Sequence, residues 1–188
     1  MTTSSSSISS GESRFQVHEA VASWVAEVLR RRAELPSAHP TGNRVLEVGS
    51  LDINGGVRHL FDDLTSGGGL YVGIDAQSGP GVDLVADASV YKSPWPIDIV
   101  VCLEVFEHTS LWPKIIRNMH ETLAPGGVFI ATMAGEGRRP HSAIDEKPIR
   151  PWEYYQNVTG PMLESRLRDF SSYEVNVLGS DTRCWAVK

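Results

Sequence analysis

The chain has 188 residues, 41% of them hydrophobic and 21% charged, with a formal net charge of -6. That length suits one domain, able to bury roughly 70% of its unfolded surface without a disulfide or metal staple. The acidic balance argues against a nucleic-acid partner, which calls for a basic face.

No apolar run approaches the ~18 residues of a membrane span, and no charged-then-apolar leader opens the chain. Cys102 and Cys184 each lie inside an apolar run, which is the usage of a reducing compartment. No Cys or His pair has zinc-ligand spacing. The expectation is a cytoplasmic protein with no metal, made of a Ser-rich arm over residues 1–13 and one domain over 14–188.

The arm carries Ser4, Ser5, Ser6, Ser7, Ser9 and Ser10 with no apolar pattern to bury, so it is expected to be disordered. A helix is predicted over 15–33, where Val17, Val21, Trp24, Val25, Val28 and Leu29 form one stripe and Arg30, Arg31 and Arg32 complement the dipole of the last turn. Pro36, Pro40 and Gly42 mark a linker. Arg44–Gly49 then reads as a strand, followed by a helix with Val57, Leu60, Phe61 and Leu64 on one face, ended by Gly67-Gly68-Gly69. Leu70–Asp75 and Val82–Val85 are further strands. Ile97–Leu103 is apolar almost throughout, as a parallel strand covered on both faces should be. Leu111, Ile115, Met119 and Leu123 give another helix, with Trp112 packing beneath it, stopped by Pro125-Gly126-Gly127 ahead of the strand Val128–Met133.

The polar segment 134–150 is longer than an idle connection, which suggests a lid or binding loop. A helix with Thr159 as its cap, Pro161 in its first turn, and Leu163, Leu167 and Phe170 on one face follows. Tyr173–Leu178 and Arg183–Val187 close the chain as a hairpin. The alternation implies right-handed crossovers and a doubly wound, mostly parallel sheet.

Ligands of such sheets bind beyond the carboxyl ends of the strands. The first strand ends in Glu47-Val48-Gly49-Ser50-Leu51-Asp52-Ile53-Asn54-Gly55-Gly56, whose glycines let backbone N–H groups approach a ligand. The second ends in Asp75 followed by Ala76, a carboxylate suited to ribose hydroxyls. The third leads to Asp87-Ala88, and the fourth to Leu103-Glu104-Val105-Phe106-Glu107-His108. Each feature alone is common, and the set of four consecutive strand ends is the signal.

That set resembles the class I S-adenosylmethionine-dependent methyltransferases, of the small type-11 kind found in bacteria and phages. The resemblance implies a seven-stranded Rossmann-like sheet with an antiparallel C-terminal hairpin, and S-adenosylmethionine as cofactor with S-adenosylhomocysteine as product. By position, Glu47, Gly49, Ser50, Asp52 and Asn54 would cradle the methionyl part. Asp75 and Ala76 would meet the ribose, Asp87 and Ala88 the adenine, and Leu103 and Glu104 the side of the sulfur. Leu51 and Ile53 occupy the second and third glycine positions of the usual first motif, with Asp52, Asn54 and Gly55 able to supply a turn one step later. A nicotinamide reading fares worse, because Gly-x-Gly-x-x-Gly is missing.

Methyl transfer needs alignment above all, and a base only where the nucleophile must lose a proton. His108 is the candidate base, with cofactor contact as the plainer alternative, while Glu107 reads as structural. His141, in the lid, together with Tyr154 and Tyr155, are candidates for substrate binding, or the tyrosines simply pack. Trp152 has the same two readings. Arg138, Arg139, Lys147 and Arg150 slightly outnumber Glu136, Asp145 and Glu146, which fits an anionic acceptor or a solvated loop equally. The leading expectation is a small-molecule acceptor. A protein or nucleic-acid acceptor ranks lower, since Asp/Asn-Pro-Pro-Tyr/Phe is missing and Cys102 is not in a Pro-Cys pair. A noncatalytic interaction module rests on Leu51 and Ile53. These motifs encode neither the methylated atom nor the oligomeric state.

Overall fold

The computed structural model describes residues 10–33, 43–53 and 55–188, with side chains in the first stretch described from residue 19. It contains seven strands: β1 (Arg44–Val48), β2 (Leu70–Asp75), β3 (Leu84–Val85), β4 (Ile97–Leu103), β5 (Leu123–Ala134), β6 (Ser172–Leu178) and β7 (Asp181–Val187). They form one sheet in the order β3-β2-β1-β4-β5-β7-β6. The strands β1 to β5 pair in parallel, and β7 runs antiparallel to both β5 and β6. This is the doubly wound sheet with an antiparallel closing hairpin that the strand alternation implied.

The central strands are buried on both faces. On one side Leu46, Val100, Cys102, Phe129 and Ala131 pack under α3 (Trp112–Thr122) and the segment carrying Leu163, Leu167 and Phe170. On the other, Val45, Ile99, Val101, Val128 and Ile130 pack against Trp24, Val25 and Val28 of α1 (Ser10–Arg32) and against Phe61. Alternate residues of one apolar run therefore feed two cores, which is why β4 shows no polar alternation. Among the described residues, no helix is long and apolar enough to cross a membrane.

The helices depart from expectation. α1 begins at Ser10, ahead of the predicted start at 15 and inside the span read as an arm; residues 1–9 and the linker 34–42 lie outside the described residues. The helix expected after β1 is a 3-10 turn, Arg58–Phe61, running into one turn of α2 (Asp62–Thr65). Thr65 Oγ1 donates to Phe61 O at 3.0 Å and Ser66 Oγ to Asp63 O at 2.6 Å, so hydroxyls compete for the helical carbonyls and end it early. Beyond Thr159, α4 spans only Gly160–Glu164. Arg166, Leu167 and Phe170 then make successive i→i−3 bonds, which keep Leu163, Leu167 and Phe170 in the core without a regular helix. β5 starts at Leu123, because Pro125–Gly127 form its first, irregular turn of strand, with a register shift opposite Ile97 and Ile99.

Candidate active site

The carboxyl ends of β1, β2 and β4, with the chain just after β3, converge on a cavity of about 900 Å³. β1 lies between β2 and β4 in the sheet, so the cavity occupies the switch point where open α/β sheets take ligands. The segment after β5, from Gly137 to Pro148, forms its outer wall, and Val21 of α1 reaches the same space.

The turn after β1 is shaped by close approaches. Gly49 has φ +76°, and a Cβ built there would lie 2.2 Å from Val105 Cγ2, just beyond β4. The N–H groups of Gly49 and Ser50 donate to Ile74 O at 2.9 and 3.2 Å, drawing the chain toward β2. Asp52 closes the turn by accepting from Gly55 N on Oδ1 at 2.6 Å, while its own N–H donates to Pro80 O at 2.9 Å. Across from it Gly81 has φ +83°, and a Cβ there would meet Ser50 O at 2.4 Å. One side-chain bond thus ties Gly55 to Asp52 where the usual motif has glycines. Leu51 is half-buried and Ile53 is exposed; Asn54 lies outside the described residues. Reading the chain motif by motif missed Gly79-Pro80-Gly81 as the floor of this turn. Its signal is two glycines flanking a proline just past an acidic strand end.

The acids of the set are held differently. Asp75 accepts from Leu51 N on Oδ2 at 3.3 Å and from Gln77 N on Oδ1 at 2.9 Å. A carboxylate has about four acceptor sites, so two remain for a ligand. Asp87 Oδ1 accepts from Ser89 N at 2.8 Å, and Ala76, Asp87 and Ala88 line the cavity beside it. Glu47 is nearly buried; burial raises its carboxyl above the ordinary range, opposed by the Tyr71 hydroxyl and Arg58. Ser50 Oγ is buried with no hydrogen-bond partner.

Strain sits at the end of β4. Glu104 has φ +55°, a left-handed conformation that costs a non-glycine residue roughly 1–3 kcal/mol. Its N–H donates to Thr132 O at 2.8 Å, and Oε1 accepts from Thr132 Oγ1 at 2.8 Å. Burial raises its carboxyl, against the pull of Thr132 and Arg138. Glu107 is fully buried and ties three elements together. Oε1 accepts from Ala134 N at 3.0 Å, and the backbone carbonyl accepts from Gln156 N at 2.9 Å. Burial, then the Glu104 charge, push its carboxyl well above the usual range, which favours the protonated acid.

His108 follows at the cavity wall, half-buried. Its ring meets His141 edge-on at 5.0 Å and Tyr155 at 5.5 Å, and His141 meets Tyr155 at 5.2 Å. Burial, reinforced by His141, lowers the His108 imidazole to about 4. His141 Nδ1 lies 3.1 Å from Arg139 O and donates to it, as does the Tyr155 hydroxyl at 3.4 Å. Glu107, His108 and His141 offer atoms of metal-ligand type within 4.8 Å of one another. Glu107 Oε1 and His141 Nδ1 make the bonds just given, while Glu107 Oε2 is buried without a hydrogen-bond partner.

Leu103, Glu104, His108 and His141 therefore share one cavity with Glu47, Gly49, Ser50, Asp52, Asp75, Ala76, Asp87 and Ala88. Tyr155 stands behind the two histidines. Neither tyrosine is among the lining residues; Tyr154 is exposed and donates to Gln156 Oε1 at 2.7 Å. Successive side chains of an extended segment face opposite ways, so only one of the adjacent tyrosines reaches the rings. Trp152 is exposed as well. The cations of the lid are largely spoken for. Arg138 pairs with Asp181 and lies 3.9 Å from Glu104, while Arg150 and Lys147 pair within the lid.

A profile of the methyltransferase domain family matches residues 16–165, a span that contains every strand end of the cavity. The chain belongs to the class I S-adenosylmethionine-dependent methyltransferases. The ubiquinone biosynthesis O-methyltransferase of Pseudomonas aeruginosa is 30% identical over 109 residues, covering 49% of this chain and 45% of that one. The chain thus spans about half the length of the curated relatives it matches. Among solved structures, the CurJ carbon methyltransferase aligns with a TM-score of 0.63 at 19% identity, over 90% of this methyltransferase chain and 54% of that one. The amino pentose methyltransferase CalS10 from Micromonospora echinaspora aligns at 0.58 and 16% identity over 100% of each chain. At those identities the likeness concerns the fold.

Proposed function

We propose that this methyltransferase domain transfers the methyl group of S-adenosylmethionine to a hydroxyl of a small-molecule acceptor, with His108 as general base. The observation that carries the reading is the place of His108: its imidazole stands in the wall of the cavity, next to the strand ends that fit the cofactor, and burial lowers it to about 4. The O-methyltransferase named above supports a hydroxyl acceptor. A cavity of about 900 Å³ behind a lid lies in the size range of small-molecule sites.

The residues present fit the cofactor. Gly49 leaves open the cradle that a side chain would fill, Ser50 Oγ is a buried hydroxyl in want of a partner, and Asp75 keeps free acceptor sites for a diol. Glu47, Gly49, Ser50 and Asp52 would hold the methionyl part, Asp75 and Ala76 the ribose, Asp87 and Ala88 the adenine, and Leu103 and Glu104 the region of the sulfur. When bound, the cofactor supplies an electrophilic methyl group on a sulfonium. The chain's own work is then to orient the acceptor, keep water out behind the lid and take up one proton at the His108 ring.

Asp75→Ala should weaken S-adenosylhomocysteine binding by about 1–3 kcal/mol, or roughly 5- to 150-fold, because two hydroxyls lose a charged acceptor. Calorimetry on the variant checks this, and an unchanged affinity would remove Asp75 from the ribose site. The acceptor class is tested by incubating the protein and labelled cofactor with phenolic and alcoholic small molecules, then with peptides and RNA. Label entering only the macromolecules would overturn the small-molecule reading.

A further inference from the structure

The lid has no helix or strand between the end of β5 and α4, yet it is heavily braced. Ser142 is buried at its centre. Its Oγ donates to Glu153 Oε1 at 2.6 Å and accepts from Arg150 Nη1 at 2.6 Å and from Ile144 N at 3.0 Å. Arg150 Nη2 donates to Asp145 Oδ2 at 2.7 Å, and Arg150 N donates to Glu153 Oε2 at 2.8 Å. Backbone bonds from Ser142 N to Lys147 O and from Glu146 N to Ser142 O close the same loop. One hydroxyl, one guanidinium and two carboxylates form a clasp across residues 142–153. Such bracing offsets the roughly 1–2 kcal/mol per residue that ordering an irregular backbone costs.

The clasp has a neighbour at each end. Ser142 follows His141 directly, and Glu153 lies just ahead of Tyr155, the two rings that pack on His108. Of the clasp residues, Ser142 also lines the cavity, while Arg150 and Glu153 stand outside its lining. We propose that Arg150, with Ser142 and Glu153, is a positioning element: the clasp holds the His141 and Tyr155 rings in place as the cage that shields the His108 imidazole from water. Its catalytic meaning rests on His108 acting as the base, but the coupling itself exists with or without an acceptor.

The groups around His108 are Glu104 and Glu107 from the end of β4, Arg138 and His141 from the near side of the lid, and Glu153 and Tyr155 from its far side. Burial is the first cause of the lowered imidazole; His141 and Arg138 act the same way and Glu153 opposes them. A cage that opens admits water and removes the first cause, so the ring should move back toward the ordinary ~6.5 of histidine.

The test is a proton-coupled NMR titration of the ring-labelled full chain, saturated with S-adenosylhomocysteine, with the His108 signal assigned through His108→Gln. Ser142→Ala breaks the hub of the clasp without changing charge, Arg150→Gln breaks its cation, and Arg150→Lys keeps the charge and part of the bonding. The expected result is His108 titrating near 4 in the parent and at least about one pH unit higher in Ser142→Ala and Arg150→Gln. Arg150→Lys should fall between, and cofactor affinity in the two Arg150 variants, which lie outside the cavity lining, should stay within about twofold. If folded Ser142→Ala and Arg150→Lys both leave the His108 titration at the parent value, the clasp does not hold the cage. A failure of His108 as base would appear elsewhere, as unchanged turnover in His108→Gln, and would leave this titration result standing.

Discussion

Gly49→Ala is expected to lower the melting temperature by roughly 4–20 °C and to abolish measurable cofactor binding. Two costs combine. The left-handed backbone at φ +76° costs an L-residue about 1–2 kcal/mol, and forcing a methyl against Val105 Cγ2 at 2.2 Å adds about 1–3 kcal/mol of overpacking. Valine is stiff at χ1, so it cannot simply swing away. At about 2–4 °C per kcal/mol for a chain of this size, the sum gives the stated range. The steric share is separable: Gly49→Ala combined with Val105→Ala should recover that part and leave the backbone part, a coupling read by a double-mutant cycle. Scanning calorimetry and a cofactor titration measure both. A parent-like melting curve and affinity for the single variant would mean that the turn after β1 is not held against Val105.

The second large effect is on turnover. His108→Gln should slow methyl transfer to a hydroxyl acceptor by about 10²- to 10⁴-fold, the usual contribution of a positioned base. Cofactor affinity should change little, and equal losses in both would assign His108 to binding instead. The pH dependence follows from the lowered imidazole, at about 4. The neutral, proton-accepting ring is present above that value, so activity should persist through pH 6 and fall as pH drops through about 4. An unperturbed histidine would lose activity near ~6.5. Stability follows the same sign. Between the unfolded value and the folded one, the unfolded chain binds more protons, so the His108 contribution is intact above ~6.5 and is lost as pH falls toward about 4. His108→Gln should remove that part of the acid destabilisation, as measured by denaturant melts across pH.

Much of the sheet was legible in the chain because a strand buried on both faces announces itself. Ile97–Leu103 is apolar apart from Asp98, and the parallel pairing of β1 with β2 and β4 is what strands alternating with helices imply. The strand-end acids were legible for a related reason, since polar groups standing directly after apolar runs must lie at the rim of the sheet. Beyond β1 and after Thr159, where the spacing predicts helices, the chain makes only short helical turns. Leu163, Leu167 and Phe170 satisfy helical spacing, but successive tight turns bring the same side chains inward, and periodicity does not separate the two.

The cage around His108 was only half visible. Glu107 and His108 were marked by their place after β4, and His141 by its place in the lid. What brings them together is not local: Glu107 reaches Ala134, and Arg138 reaches Asp181 across the closing hairpin. The clasp of Ser142, Arg150 and Glu153 lies in an aperiodic segment, where pairing depends on the loop's path and carries no spacing rule. The choice of Tyr155 over Tyr154 is likewise a matter of which way an extended backbone turns.

The central claim is that the strand ends form a working site for S-adenosylmethionine despite Leu51 and Ile53 in the glycine turn. The most direct measurement is isothermal calorimetry with S-adenosylhomocysteine, paired with a thermal-shift titration and NAD as control. A single site is predicted, and at ~100 times the dissociation constant the ligand should stabilise the fold by about 2.7 kcal/mol, which raises the melting temperature by roughly 5–10 °C. NAD should leave it unchanged. No heat and no shift at millimolar S-adenosylhomocysteine would contradict the account and turn the domain into a methyltransferase fold without its cofactor.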